Sequence, residues 1–276
     1  MKHPSVIRVL DRFTPLRTKL IELLRSLSDD EWGRATAAPG WSVKDVAAHL
    51  LAGDIGVLSR CRDRFPGAGG VIHLYSDLVE LINRLNREWV LAAGRMSPRV
   101  LCDLLHFTGP QVEAYFGSLD LDAADGPVSW AGPEPAPVWF DIAREFTERW
   151  HHQQQIRDAT GRPALYDPQY LSPVLDTFVR ALPHRFQEVV AAEGTVVRLE
   201  IAGEAGGVWF LRKAPGEWAL ELEAGSQPAA GVTLPQDAAW RMFTKGISRD
   251  QAVAKATVQG DAALAAPIFG TTSIIG

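Results

Sequence analysis

Apolar residues recur at three- and four-residue spacing over roughly the first 160 positions of the chain, which is the period of amphipathic helices. The stretch 6–24 predicts a first helix with a bend at Pro15. A second helix is expected to start after Ser42, whose hydroxyl can accept a hydrogen bond from the first turn, and to run toward Arg64. Asp45 falls in that first turn, where the helix dipole favours an anion.

The same period predicts further helices before residue 165. They are expected near 78–89, from Val100 with an interruption at Gly109 and Pro110 and a continuation through Tyr115, and over 139–160, where Gly161 is a normal stop signal. About four or five amphipathic helices with short connections are typical of an up-and-down helical bundle.

A different period begins near Thr195. Apolar Val197 and Leu199 alternate there with charged side chains, which indicates a strand that is buried on one face. Two strands joined by a turn at 215–216 and one more strand at 231–234 follow, together with short helices. This half of the chain therefore predicts a small antiparallel sheet with helices.

The change of period divides the chain of 276 residues into two domains, in keeping with about 150 residues for a typical domain. We expect the fold class α+β, with a helical bundle over 1–165, a helical connector over 166–194 and an α/β domain over 195–276.

The composition narrows the classes of function. At 46% hydrophobic and 22% charged residues and a net charge of -5, the chain is neither disordered nor a basic nucleic-acid binder. Charges at Arg8, Asp11 and Arg12 interrupt any signal peptide, and no uncharged apolar run is long enough to span a membrane. Cys61 and Cys102 form no disulfide framework and are interpreted as small buried residues. We therefore expect a cytoplasmic protein that acts on small molecules.

Three side chains suggest a metal site. Glu148 and His152 are four residues apart and share one helix face, and His49 lies among inward-facing residues of the second helix. Two imidazoles and a carboxylate are used for catalytic zinc or ferrous iron, and three protein ligands leave a position for water or substrate. The plainer alternatives are a surface Glu–His helix contact and a hydrogen-bonded core histidine, and His151 competes for the same position.

Two carboxylates are candidates to orient those imidazoles. Metal-bound histidine usually donates its second N–H to a carboxylate or a carbonyl. Asp45 lies one turn before His49, and Glu145 lies three residues before Glu148. Ordinary solvated helix charges are the simpler interpretation of both.

Two separated segments carry a family resemblance. GWSVKDVAAHLLAGD at 40–54 and EFTERWHHQQQIRDATGRP at 145–163 resemble the signature segments of the mycothiol-dependent maleylpyruvate isomerase family, whose metal-binding domain belongs to the DinB and YfiT-like bundles. The resemblance implies that His49, Glu148 and His152 bind a divalent metal, zinc first among the choices. It also implies mycothiol or another small thiol as cosubstrate and a small electrophile as substrate.

The C-terminal half is similar to the sterol-carrier-like domain that commonly follows this bundle. The similarity lies in GVTLPQDAAWRMFTKG at 231–246 and VQGDAALAAPIF at 258–269. Ile247 stands where family members often have arginine, so maleylpyruvate is expected as substrate only if Arg241 or Arg249 takes over that catalytic role. Gln155 stands where the bundle motif frequently has aspartate.

Three functions follow as hypotheses. The first is a metal-dependent enzyme that activates a mycothiol-like thiol for isomerisation of, or transfer to, a small electrophilic substrate. The second is a non-catalytic metal-binding regulator or interaction protein. The third is a carrier that binds an apolar ligand through the C-terminal domain. The sequence leaves the metal, the thiol, the electrophile and the oligomeric state open.

Overall fold

The computed structural model describes residues 4–67 and 73–274, which pack as two compact units. The helical unit comprises Val9–Leu121 and Glu145–Leu165. The sheet unit comprises residues 4–8, Asp122–Arg144 and Tyr166–Ile274. Within the described ranges, no helix combines the length and the apolar character needed to cross a membrane. The predicted domain boundaries stay a prediction.

Amphipathic helices build the helical unit, as their spacing predicts. Its elements are α1 (Leu10–Arg25), α2 (Asp29–Trp32), α3 (Val43–Gly56), a π-helix (Val57–Arg62), α4 (Tyr75–Ala93), α5 (Pro98–Gly117) and the larger part of α6 (Val138–Thr160). Side chains from several of these helices form one apolar core, in which Leu51, Leu101 and Ile156 are fully buried. The short α2 has no counterpart among the predicted helices.

A capping box fixes the start of α3. The Ser42 hydroxyl accepts a hydrogen bond from the Asp45 backbone N–H at 3.3 Å, and the Asp45 carboxylate accepts one from the Ser42 backbone N–H at 2.9 Å. Both bonds satisfy donors that a helix start otherwise leaves without a partner. The predicted start is confirmed, and it places His49 two turns into the helix.

The predicted interruption of α5 is wrong, because the helix continues through Gly109 and Pro110. Gly109 has a packing role instead. A Cβ atom at this position would lie 2.8 Å from Nε of Arg17, so any larger residue would displace the guanidinium that binds Asp54. Buried residues on both sides of the proline, Thr108 and Val112, hold this part of the helix in the core.

The Asp54 carboxylate is fully buried and joins four helices. It accepts two hydrogen bonds from Arg17 of α1 at 2.6 and 2.9 Å, one from Arg149 of α6 at 3.0 Å and one from Thr108 of α5 at 2.7 Å. Arg149 also donates to the Glu145 carboxylate at 2.6 Å. Two guanidinium groups therefore balance two carboxylates inside the bundle, as buried charges require.

The sheet unit contains the helices and strands that follow residue 165. They are α7 (Pro168–Val179), α8 (Leu182–Phe186), β1 (Val196–Ala202), β2 (Gly207–Ala214), β3 (Glu217–Glu221), β4 (Ala230–Pro235), α9 (Gln236–Phe243), α10 (Arg249–Lys255), β5 (Thr257–Gly260), α11 (Ala262–Ala265) and a 3-10 helix (Ala266–Gly270). The α+β fold class is confirmed. The predicted turn between two strands is the β2–β3 connection, where Gly216 has a φ of 80°.

The five-stranded sheet has the order β3-β2-β1-β4-β5. Most neighbouring strands are antiparallel, but β1 and β4 are parallel, with Val197 opposite Ala230. The sequence does not predict β5, because all four of its residues are exposed and show no alternation. Aromatic side chains fill the core of this unit, where Phe178 packs on Phe243 and Phe186 on Trp218.

We expect Asp54→Ala to lower the free energy of unfolding by about 3–5 kcal/mol, because it leaves buried guanidinium groups without their acceptor. Urea denaturation of the purified protein measures this change. The matched control is Asp63→Ala, because Asp63 pairs with Arg62 at an exposed position and its loss should have little effect. Equal unfolding midpoints for the two variants would contradict a buried ionic network.

The Asp54 contribution should also depend on pH. Burial would raise the pKa of Asp54, but the charges of Arg17 and Arg149 and the hydrogen bonds from Arg17 and Thr108 hold it below its ordinary value of 3.8. A carboxyl group with a lowered folded pKa stabilises the protein fully above its ordinary pKa and loses that effect as the pH falls through the folded pKa. We expect the stability difference between wild type and Asp54→Asn to shrink on acidification below pH 3.8. A gap that stays constant or widens between neutral and strongly acidic pH would contradict this sign.

Candidate metal centre

Three of the side chains singled out in the sequence converge in the helical unit. His49 lies on α3, and Glu148 and His152 lie one turn apart on α6. One potential ligand atom from each of the three lies within 4.8 Å of the other two. The imidazole centroids of His49 and His152 are 4.7 Å apart, and His152 Nε2 lies 3.4 Å from Glu148 Oε2. This spacing is small enough for all three side chains to face one cation.

His49 lies between an aromatic side chain and the other two members of the cluster. Its ring lies against Trp41, with 5.0 Å between the ring centroids. Burial, and after it the neighbouring His152, lower the pKa of His49 to about 4, so the imidazole is neutral at neutral pH. Its Nδ1 atom is buried and has no hydrogen-bond partner in the part of the chain that the structure describes. A buried polar atom without a partner is unusual in a native protein and fits a site for an ion or a water molecule.

Glu148 is the anionic member of the group. Burial raises the pKa of its carboxyl group, but the contact with His152 and the other neighbouring histidines outweigh that effect, so the net pKa is well below the ordinary value. The side chain keeps 27% of its surface accessible. A carboxylate that is ionised and partly accessible is suited to bind a cation.

His152 has a defined ring orientation. Its Nδ1 atom lies 2.9 Å from the amide oxygen of Gln155, one turn further along α6. The opposite ring nitrogen, Nε2, faces Glu148. The carboxylates proposed from the sequence for orienting the imidazoles are engaged elsewhere, since Asp45 caps α3 and Glu145 binds Arg149. In the sequence, Gln155 lies three residues after His152, a spacing that allows contact on a helix. This spacing alone does not show that the contact forms.

His151 faces a different partner from His152. Its Nδ1 atom lies 3.3 Å from the backbone carbonyl oxygen of Thr147 on the same helix. Burial, followed by the neighbouring ring of His152, lowers the pKa of His151 to about 3. The two adjacent rings therefore serve different contacts, although their centroids are 3.9 Å apart.

The other residues singled out lie outside this cluster. Arg241, in the sheet unit, donates from Nε to Asp237 at 2.9 Å and stacks over Trp240 at 4.4 Å. Arg249 is exposed at the start of α10 in the same unit. A catalytic role for either arginine stays a prediction. Cys102 is buried as expected, but Cys61 is exposed, so its interpretation as a buried residue is wrong.

The fold matches two solved structures. A histidine-to-alanine mutant of the mycothiol-dependent maleylpyruvate isomerase superposes with a TM-score of 0.56 at 12% sequence identity, covering 95% of this chain and 98% of that one. The mycothiol-dependent maleylpyruvate isomerase itself gives a TM-score of 0.54 at 12% identity, covering 88% and 91%. Because the identity is this low, the likeness establishes the fold alone. A comparison with curated proteins gave no match.

The family of the chain is established by its sequence. The family model of the mycothiol maleylpyruvate isomerase N-terminal domain matches residues 13–157. This range covers more than half of the 276 residues and includes His49, Glu148 and His152. The chain therefore belongs to the mycothiol maleylpyruvate isomerase family.

Proposed function

We propose that this protein is a metal-dependent enzyme that activates a small thiol, mycothiol or a close analogue, for reaction with a small electrophilic substrate. Isomerisation of a cis alkene such as maleylpyruvate is the first reaction to test. The observation that carries this proposal is the convergence of two imidazoles and one carboxylate from α3 and α6 within 4.8 Å. Membership of the isomerase family supports the thiol and the reaction class.

The donor set fits a divalent metal ion. Two imidazoles and a carboxylate suit zinc, which in catalytic sites takes three protein ligands and keeps one position open. The buried Nδ1 atom of His49, which lacks a partner among the described residues, adds to this fit. We assign His49, Glu148 and His152 as the ligands.

The residues of the proposed centre have different roles. A divalent cation held there would lower the pKa of a thiol and so supply a thiolate at neutral pH. His49 offers a neutral imidazole because its pKa is lowered to about 4. Glu148 supplies one negative charge, and the ring of Trp41 covers His49 on one side. Arg241 and Arg249 belong to the sheet unit, and their role in binding an anionic substrate stays a prediction from the sequence.

Each of His49→Ala, Glu148→Gln and His152→Ala should lower zinc affinity by more than the roughly 10–100-fold that follows loss of an outer partner of a ligand. Chelator competition on the full chain measures the affinity, and far-UV circular dichroism checks the helices. His106→Ala is the control, because His106 is an exposed histidine of α5 in the same unit. Wild-type zinc affinity in the three variants would contradict the ligand assignment.

Zinc-loaded protein should convert maleylpyruvate or another activated cis alkene only when mycothiol or a related thiol is present. The rate is followed by absorbance of the substrate over a panel of thiols and electrophiles, and His49→Ala serves as the inactive reference. Bound zinc with no turnover across the panel would support a non-catalytic metal-binding protein instead. Co-purified apolar ligands in organic extracts, with no thiol dependence, would support a carrier.

A further inference from the structure

We infer that Gln155 is a positioning residue, which fixes the tautomer of His152 so that Nε2 is free to bind the metal. This inference rests on the metal centre proposed above. Gln155 lies outside the proposed ligand set. Its side chain contacts Nδ1 of His152, and Glu148 lies beside Nε2 on the opposite side of the ring.

The contact with Gln155 orients the imidazole ring, and the amide atom that faces the ring assigns the ring proton. His152 Nδ1 and the Gln155 amide oxygen are 2.9 Å apart, and both side chains are buried. An amide oxygen only accepts hydrogen bonds, so the proton of this bond belongs to His152 Nδ1. In a neutral imidazole the other nitrogen, Nε2, then carries a lone pair and no proton.

The lone pair points toward a second acceptor. Nε2 of His152 lies 3.4 Å from Glu148 Oε2, on the side of the ring that faces the other two proposed ligands. A nitrogen lone pair and a carboxylate oxygen are both acceptors, so neither satisfies the other, whereas a cation between them binds both. The tautomer fixed by Gln155 is therefore the one that a metal centre requires, because a metal ion binds a ring nitrogen that carries no proton.

The opposite amide orientation would give a different site. If the Gln155 NH₂ group donated to Nδ1, the ring proton would sit on Nε2 and would donate to Glu148. His152 and Glu148 would then satisfy each other and neither would need a metal. The position of one proton therefore separates a metal centre from an ordinary helix contact between Glu148 and His152.

The experiment compares zinc binding and the His152 tautomer in matched variants. Gln155→Leu removes the acceptor, Gln155→Glu keeps an acceptor oxygen at the same place, and Gln154→Leu is the control. Gln154 is an adjacent buried amide whose hydrogen bonds go to Leu165 and Asp158 and not to His152. Zinc affinity is measured by chelator competition, and the protonated ring nitrogen is identified by long-range ¹H–¹⁵N NMR of the zinc-loaded full chain.

We expect Gln155→Leu to weaken zinc binding by about 10–100-fold, the usual effect of losing a partner of a ligand. Gln155→Glu should bind zinc at least as tightly as wild type, because a carboxylate partner makes the imidazole more basic and so a stronger metal ligand. The control should stay close to wild type. In wild type, the NMR signal should place the His152 proton on Nδ1.

Two results would contradict this role of Gln155 and leave the proposed metal centre intact. One is wild-type zinc affinity in Gln155→Leu, and the other is a His152 proton on Nε2 in zinc-loaded protein. If wild-type protein binds no zinc at all, the proposed metal centre fails, and this inference fails with it. The zinc affinity of the wild type therefore distinguishes the two failures.

Discussion

The ion pair between Asp54 and Arg149 is the interaction on which the arrangement of the bundle depends. It joins α3 to α6 at 3.0 Å, and Arg17 of α1 donates to both oxygens of the same carboxylate. Because an uncompensated charge inside a protein is strongly unfavourable, the helices are held at the one register that satisfies all of these groups. Asp54 lies five residues after His49, and Arg149 follows Glu148 directly. The same contact therefore holds together the two helices that supply the proposed ligands.

The interior of α6 is unusually polar for a bundle helix. His151, His152 and the three glutamines up to Gln155 are consecutive and all buried. Each makes a specific hydrogen bond, for example from the Gln153 amide to the Leu16 carbonyl oxygen and from the Leu165 backbone N–H to Gln154. Buried polar groups stabilise a single arrangement only when they are satisfied, so this segment fixes side-chain positions at the expense of apolar packing. That property suits a site whose ligands must stay in place before a metal binds.

Local patterns in the sequence predict much of the fold. The features that the sequence does not predict depend on contacts between residues far apart in the chain. The capping box at Ser42, the stop at Gly161 and the alternation around Leu199 each depend on neighbouring residues, and the structure contains the elements that they predict. The role of Asp54 cannot be predicted from its neighbours in the sequence, because its partners Arg17 and Arg149 are 37 and 95 residues away in the chain. Gly109 looked like a helix breaker because the guanidinium that passes it belongs to α1. The parallel pairing of β1 with β4 leaves no periodic signal at all.

The assignment of the metal centre is tested most directly by anomalous diffraction from crystals of the full chain grown with zinc. We predict one strong peak at the zinc edge, within about 2.0–2.2 Å of an imidazole nitrogen of His49, an imidazole nitrogen of His152 and a carboxylate oxygen of Glu148. A zinc-loaded crystal with its peak elsewhere, or with no peak between these three side chains, would contradict the assignment.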